Sequence, residues 1–282
     1  MADVNLNPGN PEDIMDITIE NDASGEQPGT ALARHQPGNG QVALLEDAPV
    51  TFTRAMLEIV YGVGESSQQG FRGASLALRI GPKAARRWVE LVPAKTPLVV
   101  LVTGVQEVWR EYVQYAPGVF PREFASRQDA IKAGLTDQWT GVYPNGTGPT
   151  VSPCMYLDLF IRKPAGVDDD LFCLRLDDNW YAPATFRADK QLYDPIATAV
   201  KLRLKKDAGE RGVPLVQAKM DKAFMTLTSF ASMKGTKTNY QVVLGSLLED
   251  GKPVLVSDKF KQDFLNLMTV AREAPIADEE EV

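Results

Sequence analysis

Histidine is almost missing from this chain of 282 residues: His35 stands alone, in a stretch rich in Pro, Gly and Asn. No Ser-His-Asp or Cys-His relay can therefore be assembled in a well-packed part of the chain. Cysteine is scarce too. Cys154 and Cys173 are set far apart with no CxxC, which argues against a disulfide framework and against a zinc site. No apolar run approaches the roughly 20 residues of a membrane-spanning helix, and the opening residues MADVNLNPGNPEDIMD are acidic, unlike a basic signal peptide. The phosphate-loop pattern GxxxxGKS/T is absent, and no GxGxxG lies between a strand and a helix. NGTG at 145–148 lacks the Lys-Ser/Thr that would follow, and reads as a flexible loop. These absences lead to the expectation of a soluble protein of a reducing compartment, not an enzyme, with no cofactor and no metal. Its function is expected to come from surfaces.

What is present is a strong asymmetry of charge. The whole chain has a formal charge of −7. Residues 1–48 hold nine acids against one base, Arg34, and the last ten residues hold five acids and no base. The remainder, 49–272, has 29 bases and 23 acids, a surplus of +6. A basic middle between acidic ends suggests a segment that competes with a polyanion for a basic surface. The expected organisation is a disordered acidic arm over 1–48, a basic domain over 49–272 and an acidic tail over 273–282. The arm is rich in Gly, Pro and Asn and poor in aromatics, the composition of a chain that cannot build a core.

Within the basic middle, FTRAMLEIVYGV (52–63) has helical spacing. SLALRI (75–80) alternates, and RRWVEL (86–91) and PLVVLVT (97–103) follow as strands; the last, continuously β-branched, suits a central strand covered on both faces. VQEVWREYVQY (105–115) and EFASRQDAIKAG (123–134) read as helices or helical insertions separated by the APGVFP turn. MYLDLFIRKP (155–164) and LFCLRLD (171–177) read as a hairpin over PAGVDDD. Residues 191–209 fit a helix better than a strand. FMTLTSFASM (224–233) and TNYQVVLGSLL (238–248) form a second hairpin, and a Ser-capped helix covers 257–274. The fold class expected is mainly β with helices (α+β), an elaborated OB-like antiparallel barrel.

The most informative pattern is aromatics interleaved with bases on strands. On 155–163 one face carries Met155, Leu157, Leu159 and Ile161, and the other Tyr156, Phe160 and Arg162 around Asp158. If the aliphatic face is inside, two rings and a guanidinium face out. Rings that stack bases beside cations that follow phosphates are what single-stranded nucleic acid requires. The competing reading packs Tyr156 and Phe160 under a covering helix, since aromatics are favoured in strands. A second cluster is Arg79, Lys83, Arg86, Arg87 and Trp88. Trp139 and Trp180, among polar loop residues, add surface candidates, whereas Trp109 suits the core. Asp168, Asp169 and Asp170, with Asp177 and Asp178, are the carboxylates a metal nuclease would need, but such runs usually face water.

WTGVYPNGTGPTVSPCMYLDLFIRKP (139–164), LFCLRLD, QLYDPIATAVKLRLKK (191–206) and the two late strands together resemble bacteriophage single-stranded DNA-binding proteins with an OB-type fold. The ending ADEEEV looks like the acidic tail of such binders, although it lacks an aromatic tip. The resemblance implies non-sequence-specific binding of single-stranded DNA during replication or recombination, in the cytoplasm of a bacterial host. Lys163, with the residues above, would neutralise phosphate. Asp278, Glu279, Glu280 and Glu281 would regulate binding and recruit replication or recombination proteins. No membrane is implied, and an oligomer is compatible with this reading. The rivals are a virion structural or assembly protein and, third, a metal-dependent nuclease.

Overall fold

The computed structural model describes residues 39–42, 50–53, 55–61, 70–81, 86–113, 120–138, 148–234 and 237–273. Lys83, Trp139 and the tail residues Asp278 to Glu281 lie outside the described residues, as does most of 1–48. The chain is mainly β with a few helices, and its principal sheet is curled into a half-barrel.

The strands are β1 (Asn39–Val42), β2 (Val50–Thr53), β3 (Ala55–Ile59), β4 (Leu76–Ile80), β5 (Arg87–Val92), β6 (Leu98–Glu111) and β7 (Glu123–Phe124). After helix α1 (Arg127–Lys132) come β8 (Val151–Arg162), β9 (Leu174–Leu176) and β10 (Asn179–Asp189). Helix α2 (Tyr193–Arg211), β11 (Met225–Lys234), β12 (Lys237–Ser246), β13 (Leu248–Glu249), β14 (Lys252–Pro253) and helix α3 (Asp258–Glu273) complete the order. The main sheet runs β12-β11-β6-β8-β10-β3-β4-β5, with β7 beside β6 and β9 beside β10. Its β10–β3 pair is parallel; β1 and β2 pair separately.

The curl follows from the connections. On a flat sheet five strand spacings of about 4.8 Å would hold β5 some 24 Å from β6. Yet residues 93–97 alone join them, and a chain that short reaches only about 20 Å. The two ends of the sheet must approach, and the Ser229 hydroxyl donates to the carbonyl of Ala74, just before β4. Gly104 marks a bend in β6, where the register with β8 shifts. A Cβ there would stand 2.8 Å from Asp158 Oδ2, so glycine lets the strands close here without displacing that carboxylate.

Both faces of the sheet are covered. Inside the curl, Leu57, Leu78, Val100, Leu157, Phe186 and Val242 share one core, completed by Ile196 and Val200 of α2. Outside, at one end, Leu101, Phe160 and Tyr181 pack with Phe224 and with Phe260 and Phe264 of α3. Sealing each large apolar side chain contributes about 1.5–3 kcal/mol, so both layers hold the fold.

Several expectations hold. β4, β5 and the central β6 stand where the alternating and β-branched runs place them, as do the β11–β12 hairpin and helices α2 and α3. The Ser257 hydroxyl accepts the Phe260 N–H at 2.9 Å, capping α3. Others are corrected. Of the helix expected over 52–63, the described residues fall in the end of β2, in β3 and just after it, while 54, 62 and 63 lie outside the described residues; AMLEI is too short to distinguish a period of 3.6 from a buried strand, and β3 is held between β10 and β4. Of the helix expected over 105–115, residues 105–111 are the second half of β6, because β8 supplies partners from Gly104 to Glu111, and 114–115 lie outside the described residues. That over 123–134 shortens to α1, preceded by β7. The hairpin expected between 155–164 and 171–177 does not form. β8 pairs instead with β6 and β10, while β9 pairs with Asn179–Tyr181 of β10. The turn between β9 and β10 is Asp177-Asp178, both at positive φ (49° and 60°), the backbone that matches strand twist in a tight hairpin. β10 was hidden by Pro183, which reads as a strand breaker.

Candidate nucleic-acid interface

Register places the expected residues more closely than their spacing in the chain suggests. Gly104, Asp158, Thr185, Met56, Arg79 and Trp88 are successive cross-strand neighbours over six strands. Tyr156, Phe160 and Arg162 share that outer face, two residues apart from Asp158 or from each other. The alternation read from 155–163 is therefore correct, and Arg79, Trp88, Tyr156 and Phe160 do belong to one face of one sheet.

That face is not open at the rings. Tyr156 is 6 % exposed and Phe160 0 %, so the expectation that they face solvent is corrected: a second layer covers the outer side. Phe160 lies 5.7 Å, centroid to centroid, from Phe264 of α3. Tyr156 packs with Val108 and Cys154, and its hydroxyl donates to Glu123 on β7. Burial, followed by that hydrogen bond, raises the Tyr156 phenol well above its ordinary value. Burial likewise pushes the Cys154 thiol up to about 12, which leaves it inert as a nucleophile. Arg79 donates through Nε to Glu58 at 2.7 Å, and Trp88 is half-buried with its indole N–H unbonded. Arg86 is half-buried beside it.

The remaining cations sit elsewhere. Arg87 is exposed and held by Asp169 and Asp170, both at 2.8 Å. Lys163 reaches Asp168 at 3.0 Å. Arg162 is exposed and forms no ion pair among the described residues. The carboxylates of the nuclease reading are spent on separate partners: Asp177 accepts from Ser257, and Asp178 faces Lys259. Among the described residues no acidic, His or Cys group has the arrangement of a metal site.

An exposed ring meets cations at the far end of β8, where Lys163 faces Asp168 and Arg175 faces Asp178 at 3.6 Å. Trp180 is not a loop residue but the second residue of β10, and it is 45 % exposed. On one side its carbonyl accepts the Lys163 N–H at 2.8 Å; on the other it is the register partner of Arg175 in β9. A row of cation, indole and cation thus crosses three adjacent strands, on the face opposite to Arg162, whose register partner is Tyr181; Arg162 reaches only the rim of the hollow there. A hollow of about 490 Å³ lies here, lined by Arg162, Lys163, Gly166, Val167, Asp178 and Trp180. Arg175 escaped the sequence reading. The Asp177-Asp178 turn that sets it opposite Trp180 was the available signal.

No protein-family model matches the chain, and no curated protein or solved structure is significantly similar to it.

Proposed function

We propose that this protein binds single-stranded DNA without reading its sequence, as a non-enzymatic phage replication or recombination factor with an OB-like barrel, acting in the host cytoplasm. The exposed Trp180 between Lys163 and Arg175 carries the reading. A base stacks on the indole, and the flanking cations, with Arg162, follow the phosphates. The +6 surplus of residues 49–272 supplies the long-range attraction. The acidic ending, Asp278 to Glu281, competes for the same cations and recruits replication or recombination proteins when displaced.

Titration of fluorescent oligo-dT tests this. The expected result is affinity that falls steeply with added salt and drops when Trp180 is replaced by Ala. Absence of binding at low salt overturns the proposal.

A further inference from the structure

The turn between β8 and β9 is built around three consecutive carboxylates, and each meets a cation. Asp168 Oδ1 is 3.0 Å from Lys163 Nζ. Asp169 presents both oxygens to Arg87, at 2.8 and 3.2 Å, and Asp170 Oδ1 adds a third contact to the same guanidinium at 2.8 Å. A planar guanidinium gripped by several anionic oxygens is the geometry in which arginine holds phosphate. The two cations come from opposite regions of the sheet: Lys163 follows the end of β8, and Arg87 begins the edge strand β5. The curl brings both to a single turn.

The three aspartates differ in what fixes them. Asp169 is tied into the turn, since its Oδ1 also accepts the Leu171 N–H at 3.1 Å, and its side chain is 11 % exposed. Asp168 and Asp170 are 102 % and 86 % exposed; each faces its cation, and Asp170 also meets the Asp169 side chain. Exposed pairs of this kind contribute little to stability and exchange readily for another anion.

We propose that the Asp168–Asp170 turn is a built-in phosphate surrogate: it occupies Lys163 and Arg87 in the free protein and is displaced by the phosphates of a bound strand. This rests on the reading of the hollow as a single-strand site and adds its regulation. Pairing of these cations with the aspartates in the free state suppresses attachment to weak or scattered anions. A continuous strand, anchored at Trp180 and Arg162, exchanges its phosphates for the aspartates.

The test is oligo-dT titration of the full chain with Asp168→Asn and Asp170→Asn combined, with thermal unfolding as a check on folding. Affinity should rise roughly two- to tenfold, the scale set by two exposed ion pairs. The gain from Asp168→Asn should vanish in a Lys163→Met background, and that from Asp170→Asn in an Arg87→Met background. Asp194→Asn with Glu210→Gln, which removes the same charge on α2, should give a smaller gain. Wild-type binding with no gain in the double variant, a gain that survives loss of the cations, or an equal gain from the α2 control each overturns the inference while leaving the binding site intact. Failure of both wild type and variant to bind at low salt removes the site and the surrogate together.

Discussion

β8 carries two regions with opposite fates on a single strand. Toward its start, Tyr156 is sealed and its hydroxyl bonded; Phe160, further along, lies under α3. At its end Arg162 stands in solvent, and Trp180 on the neighbouring strand is nearly half exposed. The residue types are alike, aromatic and cationic, and in the sequence they look like one site. The difference is the covering layer. On the outer face β7 and α3 seal the rings into the fold; Trp180, which alternates with Tyr181 onto the opposite face, borders an open hollow and is available to a ligand.

Phe160→Ala should give the largest effect. Removing a fully buried ring leaves a cavity and should cost about 3–5 kcal/mol in a denaturant titration. A loss below about 1 kcal/mol would place Phe160 on the surface and break the comparison. Trp180→Ala should do the reverse, weakening oligo-dT by about 1–3 kcal/mol while the unfolding midpoint barely moves. A large loss of stability there would mean the indole is structural.

Tyr156→Phe should cost about 1 kcal/mol by leaving Glu123 without its phenolic donor. The phenol also gives a pH signature. Its folded value is raised above the ordinary 10.0, so its stabilising contribution is complete below pH 10 and is lost as pH climbs beyond it. Ultraviolet titration should show this phenol ionising only as the chain unfolds, and Tyr156→Phe should flatten the alkaline loss of stability. Arg162→Ala should give the smallest change: a few-fold loss of affinity and a salt slope shallower by about 0.7, one phosphate contact on a single strand. An unchanged slope would exclude Arg162 from the path of the backbone.

Much of the fold was legible in the chain. The alternation in SLALRI, the β-branched run beginning at Leu98 and the Ser cap at 257 each describe a local backbone preference, and each is realised. The misreadings share a cause. VQEVWREYVQY has spacing that suits a helix, but β8 offers it partners from Val105 to Glu111, and tertiary pairing outweighs a weak local preference. NWYAPATFRAD contains a proline that argues against a strand, yet Pro183 sits opposite Phe160 within the sheet. At the candidate site, Trp180 was recognisable as an indole among polar residues, whereas its neighbour Arg175 became visible only through register.

The sequence by itself determined which residues share a face of each strand and how charge divides between middle and ends, because period-two alternation and composition are local. Tertiary structure decided which part of a face meets water and which carboxylate meets which cation. The physical reason is that a strand's pattern specifies direction only, while its cover comes from elements distant in the chain: β7 over Tyr156, α3 over Phe160, and nothing described over Trp180.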